Sequence, residues 1–140
     1  MAKIILGQPP QSFERTVKFL QVTGQPGQIG LTYKYRDRVQ FGEFTDKIRA
    51  DIKAEAEAEM DALKKLAESG QPMPELTESE ILARQNKTNV RYITGCVEKW
   101  DLDVPFDEAA VAQLVVEVPA AIPAIIGEYR DAITEGRAGN

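Results

Sequence analysis

Acidic side chains are the residues of this sequence whose spacing could support chemistry, because neighbouring carboxylates can bind a divalent cation. Asp101 and Asp103 stand two positions apart, like the first two ligands of an EF-hand calcium loop. That loop needs a glycine at its sixth position, where this chain has Phe106. The glutamates of residues 55–59 alternate with alanines, so on a helix they spread around the surface. Solvated charge explains both groups better, and we predict no metal site.

The side chains most used in catalysis are scarce. The sequence contains no histidine, the commonest general base and the commonest metal ligand. Its single cysteine, Cys96, can form neither an intrachain disulfide nor a thiolate zinc site, and we predict that it is a small core residue. The sequence has no nucleophile elbow, Walker loop or dinucleotide-binding glycine motif. We therefore expect a protein that is not an enzyme, with no catalytic residue and no cofactor.

The charge distribution bears on the class of partner. A net charge of −5 argues against nucleic acid and anionic membranes as partners. Residues 33–38 combine two tyrosines with three basic side chains, as a single-strand-binding surface does, but a half-buried strand gives the same pattern and is preferred. Residues 1–44 hold six basic and three acidic side chains, whereas residues 70–140 hold six and twelve. The basic segment of one copy could attract the acidic segment of another, which would favour self-association. The alternative is that these charges are simply scattered over the surface.

The N-terminal part, residues 1–44, is predicted to be rich in β-structure. Residues 13–22 mix β-branched and aromatic side chains, and a turn with two glycines and a proline follows. Residues 29–36 alternate apolar and polar side chains, which indicates a half-buried strand. Residues 39–44 are predicted to form a third short strand, which completes an antiparallel meander.

Residues 45–69 change to a helical period and predict a long charged helix that Thr45 or Asp46 caps and Gly70 ends. Its narrow apolar stripe steps by three or four residues. The stripe consists of Ile48, Ile52, Ala56, Met60, Leu63 and Leu66.

The C-terminal part begins after a linker at residues 70–76, whose prolines cannot continue a helix. Residues 77–136 are predicted to be helical, with a helix over 78–100, a third that Asp107 caps, and a fourth that Pro119 or Pro123 opens. Residues 137–140 are predicted to be a disordered tail. The sequence therefore predicts an α+β fold in one domain, 1–140, with a β-meander followed by a mainly helical body. Trp100 is predicted to be a structural anchor, since apolar residues follow it closely.

Several short motifs resemble the tail assembly chaperones of long-tailed phages and prophages. Residues 99–102 (Lys-Trp-Asp-Leu) lead into residues 105–107 (Pro-Phe-Asp) and a short helix, then residues 119–123 (Pro-Ala-Ala-Ile-Pro) and Tyr129 follow. The basic, tyrosine-containing segment at residues 33–38 is similar to the N-terminal region of some members. The resemblance implies a chaperone that binds the tape-measure protein and tail-tube proteins in the host cytoplasm and is absent from the mature virion. The alternative is a tail-completion or connector subunit that remains in the virion.

Exposed apolar helical faces are the predicted partner-binding surface, because a chaperone of this kind covers a helix of its partner. The long charged helix has a stripe that so small a body need not cover, and the last helix has more large apolar residues than one core side requires. For both helices the alternative is that the stripe packs inside the monomer. The predicted residues are Met60, Leu63, Leu66, Ile122, Ile126 and Tyr129.

Overall fold

An antiparallel hairpin begins the fold in the computed structural model, which describes residues 3–136. Strand β1 (Ser12–Leu20) pairs with β2 (Pro26–Lys34), and Val17 lies opposite Ile29. Gly24 takes a positive φ in the turn between them, a conformation that glycine adopts without steric cost. The alternating apolar residues of β2 turn one face to the core, so the two predicted N-terminal strands are confirmed.

The predicted third strand at residues 39–44 is wrong, because these residues lie in helix α1 (Arg38–Glu68). Asp37 starts the helix with a capping box: its carboxylate accepts a hydrogen bond from the Gln40 N–H at 2.7 Å, and the Gln40 side chain accepts one from the Asp37 N–H at 2.9 Å. The predicted caps Thr45 and Asp46 therefore lie inside the helix. Because the cap lies at Asp37, the helix includes residues 39–44, which follow it.

The strand that does complete the sheet is β3 (Val97–Trp100), which pairs antiparallel with β2 to give the order β1-β2-β3. The predicted second helix, over 78–100, includes these residues, but α2 (Glu78–Cys96) ends before them. Val97 is fully buried opposite Tyr33, so extending the backbone here buries an apolar side chain in the sheet. Asp101 then ties the end of β3 to the sheet: its carboxylate accepts from the Gly30 N–H at 2.9 Å, and its own N–H donates to the Gly30 carbonyl at 3.0 Å.

Two shorter helices close the core. Asp107 caps α3 (Glu108–Glu117) by accepting a hydrogen bond from the Ala110 N–H at 2.8 Å, as predicted. In α4 (Ala121–Thr134) Pro123 lies in the first turn, where its missing N–H costs nothing. The predicted tail at residues 137–140 lies outside the described residues. The buried apolar residues of α3 and α4 pack on the sheet with those of α2, among them Ile93, Cys96, Val111, Leu114, Val115, Ile122 and Ile125.

Stacked aromatic rings join the sheet to α4. The rings of Tyr33 and Tyr129 lie 5.2 Å apart between centroids, and both side chains are fully buried. The Tyr33 hydroxyl donates to the Ile125 carbonyl at 2.7 Å, and the Tyr129 hydroxyl donates to the Lys34 carbonyl at 2.9 Å. Each of the two elements, β2 and α4, therefore donates one hydrogen bond to the other. Burial raises the pKa of both phenols.

The fold class is confirmed: the chain is α+β, with two N-terminal antiparallel strands, four helices and a third strand that joins the sheet. Within residues 3–136, no single helix is long and apolar enough to cross a membrane; α3 and α4 pass that test only as a pair, bent by 116°.

Trp100 provides a first prediction, since its predicted anchoring role can be tested by truncation. The half-buried indole lies edge-on to Phe106, with centroids 5.0 Å apart, and its Nε1 donates to the Val104 carbonyl at 2.8 Å. Trp100→Ala should lower the free energy of unfolding by about 2–4 kcal/mol, because packing and the hydrogen bond are both lost. Trp100→Phe, which keeps an aromatic ring, should cost less in the same denaturant titration. An alanine variant as stable as the wild type would contradict the anchoring role.

Candidate partner-binding arm

Residues 49–92 form a helical arm that extends from the core, and only its base, through the partly buried Val90 and Tyr92, packs against the core. They comprise most of α1, the connection to α2 and most of α2, and none of them is buried, whereas Ile48 before them and Ile93 after them are. The 31 residues of α1 span roughly 46 Å, so the helix continues well beyond the sheet that its first turns contact. We call residues 49–92 the arm, and residues 12–48 and 93–134 the body.

Ion pairs between α1 and α2 hold the arm as a helical hairpin. Glu55 on α1 accepts from the Arg91 guanidinium at 2.6 Å and lies 3.4 Å from the Lys87 ammonium. Farther from the body, Glu59 pairs with Arg84. The hydrogen bond from Arg91 is the main cause that lowers the pKa of Glu55. Exposed pairs of this kind stabilise weakly and are screened by salt, so the arm is held more loosely than the body.

The tip of the arm is defined by backbone hydrogen bonds. Gly70 takes a positive φ after α1; its N–H donates to the Ala67 carbonyl, and the Gln71 N–H donates to the Leu66 carbonyl, each at 3.2 Å. This is a Schellman motif, and it confirms Gly70 as the residue that ends the helix. Thr77 begins α2 by accepting a hydrogen bond from the Glu80 N–H at 3.3 Å. The connection therefore reverses the chain at a fixed place and brings α2 back along α1.

Large apolar side chains remain exposed along the arm. Met60, from the predicted stripe, is 56% exposed, while Leu63 and Leu66 are half-buried beside it. Two thin helices cannot enclose such residues, because each offers only a narrow apolar stripe to the other. The other large apolar residues exposed on the arm are Ile52, Met73, Leu76, Ile81 and Leu82.

The residues predicted on the last helix lie elsewhere. Tyr129 is fully buried and Ile122 is 6% exposed, both in the core, and Ile126 is half-buried against it. These side chains therefore pack inside the monomer, which is the alternative given above for this helix. Their apolar face packs against the sheet, where Tyr33 stacks on Tyr129.

Arg36 has a structural role that was not predicted from the sequence. Its guanidinium lies 4.0 Å from the centroid of the Phe44 ring, and it donates to the Gly95 carbonyl at 2.8 Å and the Tyr129 hydroxyl at 3.1 Å. The basic row at residues 34–38 therefore supports the junction of body and arm, where a cavity of about 650 Å³ opens beside Arg36, Phe44, Ile48 and Arg91. The sequence signal available for this role was a basic residue close to aromatic side chains, with Tyr35 before it and Phe44 after it.

The acidic and cysteine residues considered for chemistry lie in structural positions. Asp101 is engaged with the Gly30 backbone, and Glu55 and Glu59 with cations of α2. Cys96 is fully buried, and burial raises the pKa of its thiol to about 12. Within residues 3–136, no three acidic or cysteine side chains are grouped so that they could hold a metal ion.

The arm's ion pairs give a second prediction. Because the pKa of Glu55 is lower in the folded chain than in the unfolded one, its pairs stabilise above the ordinary glutamate range and are lost as the pH falls through the lowered pKa. Glu55→Gln should speed amide exchange in the arm roughly two- to fivefold at neutral pH and low salt. At acid pH, after correction for intrinsic rates, wild type and variant should converge.

Glu57→Gln is the matched control, since Glu57 forms no ion pair within residues 3–136. Equal exchange rates in Glu55→Gln and wild type at neutral pH would show that the ion pairs do not hold the arm.

Comparison with known proteins places the body and the arm together in one family. A sequence model of a family described as phage tail assembly chaperone matches residues 1–140, the whole chain. No curated protein and no solved structure matches it. The match confirms the resemblance drawn from the short motifs, and the family is non-catalytic. The chain belongs to the phage tail assembly chaperone family.

Proposed function

We propose that this protein binds the tape-measure protein, and the tail-tube protein that follows it, while a phage or prophage tail assembles in the host cytoplasm. The observation that carries the proposal is an arm without a buried core, along which Met60, Leu63 and Leu66 lie partly or largely open to solvent. Family membership supports a role in assembly. The proposal adds the partners and the surface.

The arm suits an elongated helical partner for physical reasons. An apolar row along one helix can lie against the apolar face of another, as in helix-in-groove recognition. Exposed apolar side chains occur on α1, at the tip and on α2, so both helices of the hairpin offer apolar contacts to a partner helix. The surrounding glutamates and lysines keep these contacts soluble in the absence of the partner.

Weak internal packing also suits transient binding. The arm is held chiefly by exposed ion pairs, so its helices can adjust to a partner at small cost. A chaperone must release its partner when the tube forms, and a modest apolar row limits the affinity more than a wide one would. The body, in contrast, has its own core and keeps the base of the arm in place.

A third prediction tests the surface. Leu63→Glu and Met60→Glu should leave the melting temperature within a few degrees of wild type, because neither side chain is buried. Each should weaken capture of a purified tape-measure fragment by tenfold or more, since a carboxylate would enter an apolar contact. Isothermal titration calorimetry and a melting curve on the same samples provide both measurements.

Val22→Glu is the control, because Val22 is an exposed apolar residue that lies on the β1–β2 turn, away from the arm. It should bind the fragment as the wild type does. Folded arm variants that still bind with wild-type affinity would refute the proposed surface, and an arm variant that unfolds would show that the stripe belongs to the core.

The alternative function, a tail-completion or connector subunit, predicts a different fate for the protein. A structural subunit stays in the particle in fixed copy number, whereas the proposed chaperone is absent from it. Quantitative mass spectrometry of purified virions, with the major tail-tube protein as the internal standard, should therefore detect no stoichiometric amount of this chain. A constant number of copies per virion would support the connector function.

A further inference from the structure

Strand β1 is an open edge of the sheet. Its nine residues pair with β2 alone in the sheet order β1-β2-β3, and the segment contains no proline and no bulge. Within residues 3–136, no backbone hydrogen bond joins another segment to its outer side, and residues 3–11, which precede it, are all exposed. Natural edge strands of this length are usually shortened, bulged or covered, because the free N–H and C=O groups can pair with another strand.

The hairpin register determines which backbone groups of β1 face outward. The Tyr35 N–H donates to the Gln11 carbonyl and the Gln21 N–H to the Gln25 carbonyl, so the odd-numbered residues of this strand are the ones that hydrogen-bond across the hairpin. Opposite Thr16, Gly30 directs its N–H and C=O to Asp101, on the far side of β2. The even-numbered residues of β1 therefore present their backbone groups to the open edge: Ser12, Glu14, Thr16, Lys18 and Leu20.

We propose that this edge pairs with the same edge of a second copy, antiparallel and centred on Thr16, to give a continuous six-stranded sheet. In this register Glu14 of each copy lies directly opposite Lys18 of the other, as a hydrogen-bonded pair with Cα atoms about 5.5 Å apart. Two identical ion pairs then form on the exposed face of the sheet, because both side chains are exposed on that face.

The sequence of β1 favours a second copy over an unrelated strand, since the strand is complementary to itself. Glu14, two residues before Thr16, is negative, and Lys18, two residues after it, is positive. Only an antiparallel arrangement about Thr16 places these charges opposite each other; centring the pair on Glu14 or Lys18 would oppose like charges. On the other face, the same register places half-buried Phe13 opposite the second copy's Phe19, so both rings gain an apolar neighbour.

This interface is separate from the arm and does not depend on the proposed binding of tail proteins. The arm leaves the body through α1 and α2, whereas β1 lies at the edge of the sheet, farthest along the sheet from β3. A dimer formed through β1 would therefore carry two arms, and a partner could engage both without displacing the strand pairing.

Charge reversal within the strand tests the register. Glu14→Lys makes both pairs repulsive in a homodimer of that variant, and Lys18→Glu does the same with negative charge. Each variant alone should show a dimer dissociation constant raised about tenfold or more in sedimentation equilibrium at low salt. An equimolar mixture of the two variants should recover the wild-type value within about threefold, because both cross-strand pairs are then attractive.

Glu98→Lys is the net-charge control for Glu14→Lys, since it changes the charge of the chain by the same amount but lies exposed on β3. It should dimerise like the wild type. Thr16→Pro removes an outward-facing N–H that β2 does not use, and should abolish the dimer without loss of the far-ultraviolet spectrum. A wild-type chain that is monomeric up to millimolar concentration, or single variants that dimerise like the wild type, would overturn the proposal.

Discussion

The reciprocal hydrogen bonds between Tyr33 and Tyr129 are the interaction on which the body depends. Each phenol is fully buried, and each donates to a backbone carbonyl of the other's element, so neither hydroxyl is left without a partner in an apolar environment. Loss of either hydroxyl would remove one of the two side-chain hydrogen bonds that join β2 to α4. The stacked rings fix how α4 crosses the sheet, and with it the position of Arg36 and the first turns of α1.

Body and arm are stabilised by different forces, and this difference accounts for their different surfaces. The body buries a contiguous set of aliphatic and aromatic side chains. The arm relies on ion pairs that lie in solvent, and its apolar residues are left partly open because two helices make no enclosed interior. Stability is therefore concentrated near the sheet, while adaptable surface is concentrated at a distance from it.

The sequence allowed the fold class, the first two strands and the ends of three helices to be predicted, because local signals decide these features. Gly70, Thr77 and Asp107 act where their residue types favour a cap. The start of α1 has a local signal too, the Asp37–Gln40 capping box, but that signal was missed. The third strand could not be predicted from local signals. Val97 extends rather than continuing α2 because it fits a place in the sheet beside Tyr33, and that place exists only once the hairpin has folded. For the same reason, a pattern of apolar spacing could not separate Met60, which is open to solvent, from Tyr129, which is enclosed.

The continuity of α1 has a mechanical consequence. One uninterrupted helix contains both Phe41, packed in the core, and Met60, far out on the arm, and within it there is no proline. A force applied near the tip therefore meets no proline kink at which α1 would bend before the force reaches the base. Near its start, α1 contacts the core through Phe44, whose ring packs against those of Tyr92 and Tyr129. Load at the tip is thus transmitted to the aromatic rings that pack at the base of the arm.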